Sequence, residues 1–496
     1  MAAPGPVLFQ YFHWYISNEG NFWNELAVRA PELAQIGISA VWFPPCHKGL
    51  GGVNDVGYGS YDLYDLGQFK QKGRVRTKYG TRSQLVKAVR AVRDTGMSAY
   101  ADIVLNHLIG ADEEEDFIAQ PISCDDRRTP QGEPRPFRGW TVFRYPGRKG
   151  KYSEMVWNWW HFNAVNGEVS REAGENILLL EGKRFADDVC GEYGNHDYLL
   201  GCDIDHSHPE VRDELRRWGK WFIETTGFNG LRLDALKHIS CGFYREWLAE
   251  LRDRFPDQFL FTVGEYWSGD LEELNRYLDT FAAPLSLFDV PLHFRFHRAS
   301  REGRDFPLNE IFDGTLVRTR PMQAVTFVEN HDTQRCQSLE SPVEDWFKPL
   351  AYALILLRES GYPCIFYADY YGARYREGDI EVEMPSHRFL IDRFLKARRE
   401  FAYGEQRDYT DHPTCIGWVR LGDSEHPGAM AVVMSNGDDG FKTMSVDRPD
   451  TVFCDLTGHC EERIVTDGEG KADFPCRGGS VSVWIPYESP SVGRKD

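Results

Sequence analysis

Three apolar runs decide the fold of this chain, namely GLRLDALKH (230–238), FLFTVGEYW (259–267) and AVTFVENHD (324–332). Each run has the composition of a buried strand, and each carries an acid at or near its end: Asp234, Glu265 and Asp332. The runs are separated by about one and about two strand–helix repeats. Carboxylates at the ends of different strands of one parallel barrel converge on one face. The pattern therefore predicts a cleft lined by three acids.

Runs of the same kind recur along the chain, and most are followed by a helical pattern of apolar residues. We predict eight barrel strands, in segments 7–12, 40–45, 98–107, 230–237, 259–267, 287–292, 324–332 and 363–372. Eight strands that alternate with helices favour an α/β fold of the closed (β/α)₈ TIM-barrel type over an open doubly wound sheet.

Two segments depart from this alternation. Residues 108–208 follow the third strand and are rich in Gly, Pro, Trp and charge. Because so long a structureless loop is improbable in a compact enzyme, we predict an inserted domain of irregular β structure that forms one wall of the cleft. Residues 402–496 show short β runs with turns, which predicts an all-β C-terminal sandwich domain. The catalytic barrel then comprises 1–107 and 209–401.

Composition limits the partners of the protein. The chain has 496 residues, 42% of them hydrophobic, and a formal net charge of −19. That charge argues against nucleic acid or an anionic membrane as partner, because phosphate binding needs a basic face. It suits a neutral substrate and favours a bound cation. No apolar stretch is long enough for a membrane-spanning helix. We expect a monomer.

Cysteine usage and the N-terminus bear on the compartment. The 11 cysteines are odd in number and form no CxxC pair, which indicates reduced thiols rather than a disulfide framework. The start, MAAPGPVLFQYFHWY, has neither a basic segment nor a long apolar core, so we expect no secretory signal. These features predict a cytoplasmic protein, while a secreted protein whose signal had been removed would begin in a similar way.

The acids have neighbours that suit glycosidic-bond hydrolysis. Strand periodicity places Arg232 and Asp234 on one face, where the guanidinium would hold the carboxylate ionised and oriented, as a nucleophile requires. Glu265 follows the apolar run FLFTVG, and partial burial there would raise its pKa to suit a general acid. Asp332 is the third acid of a layout typical of glycoside hydrolysis.

Each of these residues also has an ordinary structural interpretation. A single acid at a strand end is more often a helix cap, a salt-bridge partner or a surface residue. Three acids in register with barrel strands, each with basic or His neighbours, favour catalysis instead. His107 and His331 could equally be buried core histidines; beside a cleft of acids, we expect them to donate hydrogen bonds to sugar hydroxyls.

The same segments resemble the signature regions of the α-amylase family of glycoside hydrolases. The matching segments are DIVLNH (102–107), GLRLDALKH (230–238), VGEYW (263–267), FVENHD (327–332) and, at the end of the insert, LLGCDIDHSHPEV (199–211). Residues 56–80 and 10–15 resemble the liquefying bacterial type and its intracellular fungal relatives. The resemblance covers most of the chain.

The resemblance implies a role for each matching residue. Asp234 matches the nucleophile, Glu265 the general acid/base and Asp332 the transition-state stabiliser. Arg232 matches the residue that orients the nucleophile. The resemblance further implies sugar-binding side chains at Trp14, Tyr58, His107, Lys237, His238 and His331.

A calcium site is expected where the insert meets the barrel. From the residues alone, solvated acids in a loop would be the ordinary interpretation, and the acid and His cluster at 197–208 fits no usual zinc spacing. Oxygen-only ligands suit Ca²⁺. The resemblance implies one Ca²⁺ bound by Asn106, Asp197, Asp203 and the backbone carbonyl of His238. Asn163 and Asn166 stand where bacterial relatives often carry acids, so we expect a single ion.

The resemblance implies a retaining, endo-acting α-1,4-glucan hydrolase. Its substrates would be starch- or glycogen-like glucans and maltooligosaccharides, cleaved through a covalent glycosyl-enzyme intermediate. A 4-α-glucanotransferase would use the same residues, with a sugar hydroxyl in place of water as the attacking group. A non-catalytic glucan-binding or regulatory barrel is the third alternative, and the presence of all three acids and Arg232 argues against it.

Overall fold

A closed barrel of eight parallel strands forms the centre of the molecule, and the predicted fold class is confirmed. The computed structural model describes residues 5–256, 258 and 260–487. Residues 1–4 and 488–496, at the ends of the first and last predicted domains, and Phe259, in the fifth predicted strand, lie outside the described residues. The barrel strands are β1 (Leu8–Gln10), β2 (Ala40–Phe43), β3 (Ser98–Ile103), β4 (Gly230–Leu233), β5 (Phe261–Gly264), β6 (Ser286–Phe288), β7 (Ala324–Phe327) and β8 (Tyr362–Phe366).

Helices follow most of the barrel strands and begin and end at expected signals. Thr81 and Gln84 form a capping box at the start of α2, and Gly37 ends α1 in the left-handed conformation with φ 104°. The helices are α1 (Phe22–Ile36), α2 (Arg82–Asp94), α3 (Pro209–Thr226), α4 (Cys241–Arg254), α5 (Leu271–Phe281), α6 (Val290–Glu302), α7 (Leu316–Thr319), α8 (Lys348–Leu357), α9 (Tyr367–Tyr371) and α10 (Arg388–Phe401).

The barrel strands are shorter than the predicted segments, and in two of the segments an α-helix begins directly after the strand. In segment 287–292, the strand β6 ends at Phe288, and Asp289 caps α6 by accepting a hydrogen bond from Leu292 N. In segment 363–372, residues 367–371 form α9. Apolar composition is shared by a buried strand and a buried helical turn, so composition alone did not separate them.

The segment between the third and fourth barrel strands is built of β structure. A four-stranded antiparallel sheet has the strand order Arg135–Val142, Glu113–Ile122, Ile177–Leu180 and Ala164–Val165. No α-helix occurs between residues 108 and 208, all of which the structure describes. A short ribbon pairs His107–Leu108 with Cys202–Asp203, so it joins the two ends of this segment beside the barrel.

The C-terminal segment forms two packed sheets. The first has six strands, in the order Gln406–Tyr409, Cys415–Arg420, Met430–Ser435, Ser480–Pro486, Val452–Asp455 and Ile464–Val465. The second pairs Gly440–Ser445 with Lys471–Cys476. Apolar residues from both sheets, including Val433, Met444 and Phe474, share one buried core.

The described part of the chain holds two further features that bear on function. No helix there is long and apolar enough to cross a membrane. All 11 cysteines lie within the described ranges and are free thiols.

A glycine allows β5 to pass against the turn that follows β4. A Cβ on Gly264 would lie far inside van der Waals contact with the buried side chain of Leu236. Since Gly264 precedes Glu265, this close approach sets where the acid emerges from the barrel.

We expect Gly264→Ala to lower the free energy of unfolding by about 1–3 kcal/mol, because an overpacked core must shift side chains or backbone. Urea unfolding of the purified chain measures the change. Gly132→Ala is the matched control, since nothing lies within 4 Å of a Cβ at that position. Equal stability of the two variants would show that the contact between Gly264 and Leu236 is not tight.

Candidate active site at the carboxyl ends of the strands

One buried guanidinium binds three carboxylates at the carboxyl ends of β3, β4 and β5. Arg232 is 1% exposed. Its Nη1 donates to Asp102 Oδ1 at 2.8 Å and to Asp234 Oδ1 at 2.5 Å, and its Nη2 donates to Glu265 Oε2 at 2.7 Å. A cation removed from water requires such partners, so the guanidinium and the acids hold one another in place.

Backbone hydrogen bonds fix the two strand-end acids relative to each other. Glu265 N donates to Leu233 O at 2.9 Å, and Asp234 N donates to Ile103 O at 3.0 Å. Ala235 adopts the left-handed conformation, with φ 54° and ψ 38°, which is costly for a non-glycine residue. Its N–H donates to Glu265 Oε2 at 3.2 Å. The strained turn therefore directs a donor at the second acid.

Burial and charge separate the ionisation of the two acids. Burial raises the pKa of Glu265 to about 7, against the opposing effect of Arg232. Burial also raises the pKa of Asp234, to about 6, and Arg232 again opposes it. A hydrogen bond between the two carboxyls lowers the pKa of Asp234 and raises that of Glu265. The proton of the pair therefore resides on Glu265.

Asp332 follows β7 and lies beside His331, near enough to Glu265 and Asp234 for their charges to act on it. His331 Nε2 lies 3.2 Å from Asp332 Oδ2. Gln10 Nε2 donates to His331 Nδ1 at 2.9 Å, which leaves the ring proton on Nε2, toward the acid. Burial raises the pKa of Asp332 well above its usual range, and the charge of Glu265 adds to this effect.

Three rings form a flat apolar wall next to the acids. Trp14 and Tyr58 are stacked with their planes 2° apart and centroids 5.8 Å apart, and Tyr58 stacks on His331 at 5.0 Å. His107 Nε2 donates to the backbone carbonyl of Tyr58 at 2.8 Å. Aromatic faces of this kind can pack against the apolar faces of sugar rings.

Lys237 and His238 lie on a different side and contact the insert rather than the acids. Lys237 Nζ donates to Glu192 Oε2 at 3.0 Å, and His238 Nδ1 donates to the backbone carbonyl of His196 at 2.7 Å. The loop around residue 192 thus contacts the turn that directly follows Asp234.

Sequence reasoning missed the residues that hold Arg232 from behind. Asp102 accepts hydrogen bonds from Tyr58 Oη at 2.8 Å and Trp42 Nε1 at 3.0 Å, in addition to its contact with Arg232. A signal was available, because Asp102 is a charged residue inside an otherwise apolar strand and a buried charge requires a partner. Gln10, which orients His331, had no comparable signal.

The four residues predicted to hold calcium lie where the insert joins the barrel. Asn106 Oδ1 and Asp203 Oδ2 are buried oxygens without a hydrogen-bond partner in the described structure. Burial raises the pKa of Asp203 well above its usual range, and the charge of Asp197 adds to this effect. Asn163 Nδ2 donates to Asp197 Oδ2 at 3.1 Å. Buried, unpaired oxygens beside two acids fit a hard cation such as Ca²⁺.

An eight-stranded barrel whose strand-end acids share one arginine defines a class of enzyme, the barrel glycoside hydrolases. Comparison with known proteins identifies the family within this class. The model of the α-amylase catalytic domain matches residues 28–382. The chain therefore belongs to the α-amylase family of glycoside hydrolases, as the sequence predicted.

Individual relatives agree with this assignment. An α-amylase of Geobacillus stearothermophilus is 44% identical, over 98% of this chain and 88% of its own length. A cytoplasmic α-amylase of Escherichia coli K12 is 45% identical, over 97% of this chain and 99% of its own length. The crystal structure of an α-amylase from Geobacillus thermoleovorans in complex with acarbose has a TM-score of 0.65 at 16% identity and covers 98% of this chain and 99% of that one.

We expect Asp102→Asn to shift the acid limb of the pH profile of kcat/KM to lower pH. The charge of Asp102 raises the pKa of Asp234, so its removal makes Asp234 easier to ionise. The profile is measured with a maltooligosaccharide. Asp213→Asn, an exposed acid on α3, is the control and leaves the limb in place. A shift of the acid limb to higher pH would contradict the conclusion that the charge of Asp102 raises the pKa of Asp234.

Proposed function

We propose that the chain is a retaining, endo-acting α-1,4-glucan hydrolase. The contact of one buried arginine, Arg232, with both Asp234 and Glu265 is the observation that carries this proposal. It supports two carboxyls held close together on either side of one bond, and a short separation of the carboxyls is the arrangement of a retaining mechanism. Starch- or glycogen-like glucans and maltooligosaccharides are the proposed substrates.

Asp234 is the proposed nucleophile and Glu265 the proposed general acid/base. Burial raises the pKa of both carboxyls, and the hydrogen bond between them raises the pKa of Glu265 while it lowers that of Asp234, so Glu265 is the group that retains the proton. Asp234 attacks the anomeric carbon while the leaving oxygen takes the proton of Glu265. A water molecule then attacks the glycosyl-enzyme, gives its proton to Glu265 and releases Asp234.

The remaining residues bind and orient the glucan in this proposal. Asp332 stabilises the positive charge that develops on the sugar ring in the transition state. A hydrogen bond from His331 to a hydroxyl holds the ring at the cleavage point, and Trp14 and Tyr58 pack against its apolar face. His107 positions Tyr58 through its hydrogen bond to the Tyr58 backbone carbonyl. Lys237 and His238 line the leaving-group side.

One calcium ion is the proposed cofactor. Asn106, Asp197, Asp203 and the backbone carbonyl of His238 would hold it, and the two unpaired buried oxygens of Asn106 and Asp203 support the site. Bound there, the ion supplies charge compensation for the acids and ties the proposed insert, 108–208, to the barrel. It takes no part in bond cleavage.

A cytoplasmic location is proposed on two grounds. All 11 cysteines are free thiols, which suits a reducing compartment. The relative from E. coli, 45% identical, is named a cytoplasmic α-amylase.

The product profile from maltoheptaose and soluble starch, followed over time, tests the proposed function. The expected products are shorter maltooligosaccharides. Asp234→Asn should lower kcat by at least about a thousandfold, in line with loss of a catalytic nucleophile, while Asp213→Asn keeps full activity. From maltoheptaose, products longer than the starting heptaose would indicate a glucanotransferase, and no products from the wild-type chain would favour a glucan-binding barrel.

We expect chelation of calcium to lower the melting temperature, because a ligand bound only to the folded state stabilises it. At a free concentration 100 times Kd, this stabilisation is about 2.7 kcal/mol. Thermal unfolding at increasing Ca²⁺ measures the effect. Asp203→Asn should remove the dependence on Ca²⁺, whereas Asp467→Asn in the C-terminal domain should keep it. A wild-type melting temperature indifferent to chelator would contradict the site.

A further inference from the structure

A second group of metal-binding side chains lies in the loop that contacts the turn after Asp234. Cys190, Glu192 and His196 each offer one ligand atom, and these three atoms all lie within 4.8 Å of one another. The thiol is buried, the imidazole half-buried and the carboxylate exposed. The group is thus anchored inside the protein and open to solvent on one side.

The backbone closes this loop before any ion binds. His196 N donates to Cys190 O at 2.8 Å, and Cys190 N donates to Lys237 O at 2.9 Å. His196 Nδ1 already lies 3.0 Å from Glu192 Oε2, because the side chains converge across the closed loop. Little reorganisation is therefore needed to bring the three donors onto one ion.

The donor set selects a different cation from the proposed calcium site. Thiolate and imidazole are ligands of Zn²⁺, whereas Ca²⁺ takes oxygen ligands. Bond lengths of about 2.3 Å to sulfur and about 2.0 Å to nitrogen place two donors of one tetrahedral zinc roughly 3.5 Å apart. The three ligand atoms already lie within 4.8 Å of one another, so small side-chain movements bring them to such separations. Three protein ligands leave the fourth position for water.

We propose that Cys190, Glu192 and His196 form a zinc site that lowers turnover when it is occupied. Glu192 accepts the hydrogen bond of Lys237, and the Tyr266 hydroxyl lies against the Cys190 thiol. Zinc binding would take Glu192 away from Lys237 and the Cys190 thiol away from Tyr266. Tyr266 directly follows Glu265 in the chain, so the ion acts on the leaving-group side of the cleft. This effect on turnover rests on the proposed function; the binding of zinc does not.

Another candidate cluster, formed by His161, His208 and Glu210, is less suited to zinc. His161 Nδ1 accepts a hydrogen bond from Asn158 N at 3.0 Å, and its Nε2 donates to Glu210 Oε2 at 2.9 Å. The ring proton therefore occupies the nitrogen that would bind the ion. His196 Nδ1 also faces a carboxylate, that of Glu192, but no hydrogen bond in the described structure occupies His196 Nε2, so the ring proton can move there when an ion binds.

Two measurements on the full chain, with Ca²⁺ kept in excess, test the site. Titration calorimetry with ZnCl₂ gives the affinity, and addition of Co²⁺ gives the near-ultraviolet charge-transfer band of a cobalt–thiolate bond. We expect Cys190→Ser to abolish the band. Cys190→Ser and Glu192→Gln should each weaken zinc binding by at least about tenfold. Cys124→Ser, at an exposed thiol, and His208→Asn should leave it unchanged.

The outcomes separate the site from the proposed function. Zinc affinity that is unchanged in both Cys190→Ser and Glu192→Gln, or that is lost in His208→Asn, would overturn the site. With maltoheptaose, zinc should inhibit the wild type and inhibit Glu192→Gln at least about tenfold less strongly. Zinc that binds without inhibition would overturn its coupling to the cleft and leave the glucan hydrolase proposal intact.

Discussion

The buried guanidinium of Arg232 is the constraint on which the centre of this molecule depends. A cation without water must be neutralised by nearby anions, and here Asp102, Asp234 and Glu265 supply that charge from three adjacent strands. None of these acids could be buried at such a position alone, because each would be protonated or would turn to solvent. The same ion pairs therefore position the acids of the site and stabilise the carboxyl end of the barrel.

Much of this arrangement could be predicted from the sequence, because it follows from periodicity. Apolar runs that alternate with helical patterns specify the barrel, and an acid at the end of a run then has only one face to occupy. Strand ends were less predictable, as at residues 290–292, where an apolar run starts a helix. The role of Asp102 was missed because its partner, Arg232, lies on a different strand, and the spacing of the acids at strand ends does not indicate that pair.

Features that depend on loop closure could not be predicted from periodicity, and the calcium ligands were named only through the resemblance to the α-amylase family. The convergence of Cys190, Glu192 and His196 arises from backbone hydrogen bonds across a loop that has no periodic pattern. The unpaired oxygens of Asn106 and Asp203 arise in the same way, since a two-stranded ribbon brings distant segments together. Both metal-binding arrangements lie at the junction between insert and barrel, where neither part alone would place the ligands.

The hydrogen bond from Glu265 N to Leu233 O has a stereochemical consequence. It places Asp234 and Glu265 at matching positions on neighbouring strands, and such strands lie about 4.7–4.9 Å apart. Retaining glycosidases need carboxyls about 5–5.5 Å apart, and inverting ones need about 6.5–9.5 Å to admit a water molecule. Matching positions on adjacent strands therefore favour the shorter of these two separations, so the proposed retention of anomeric configuration follows from the order of the strands.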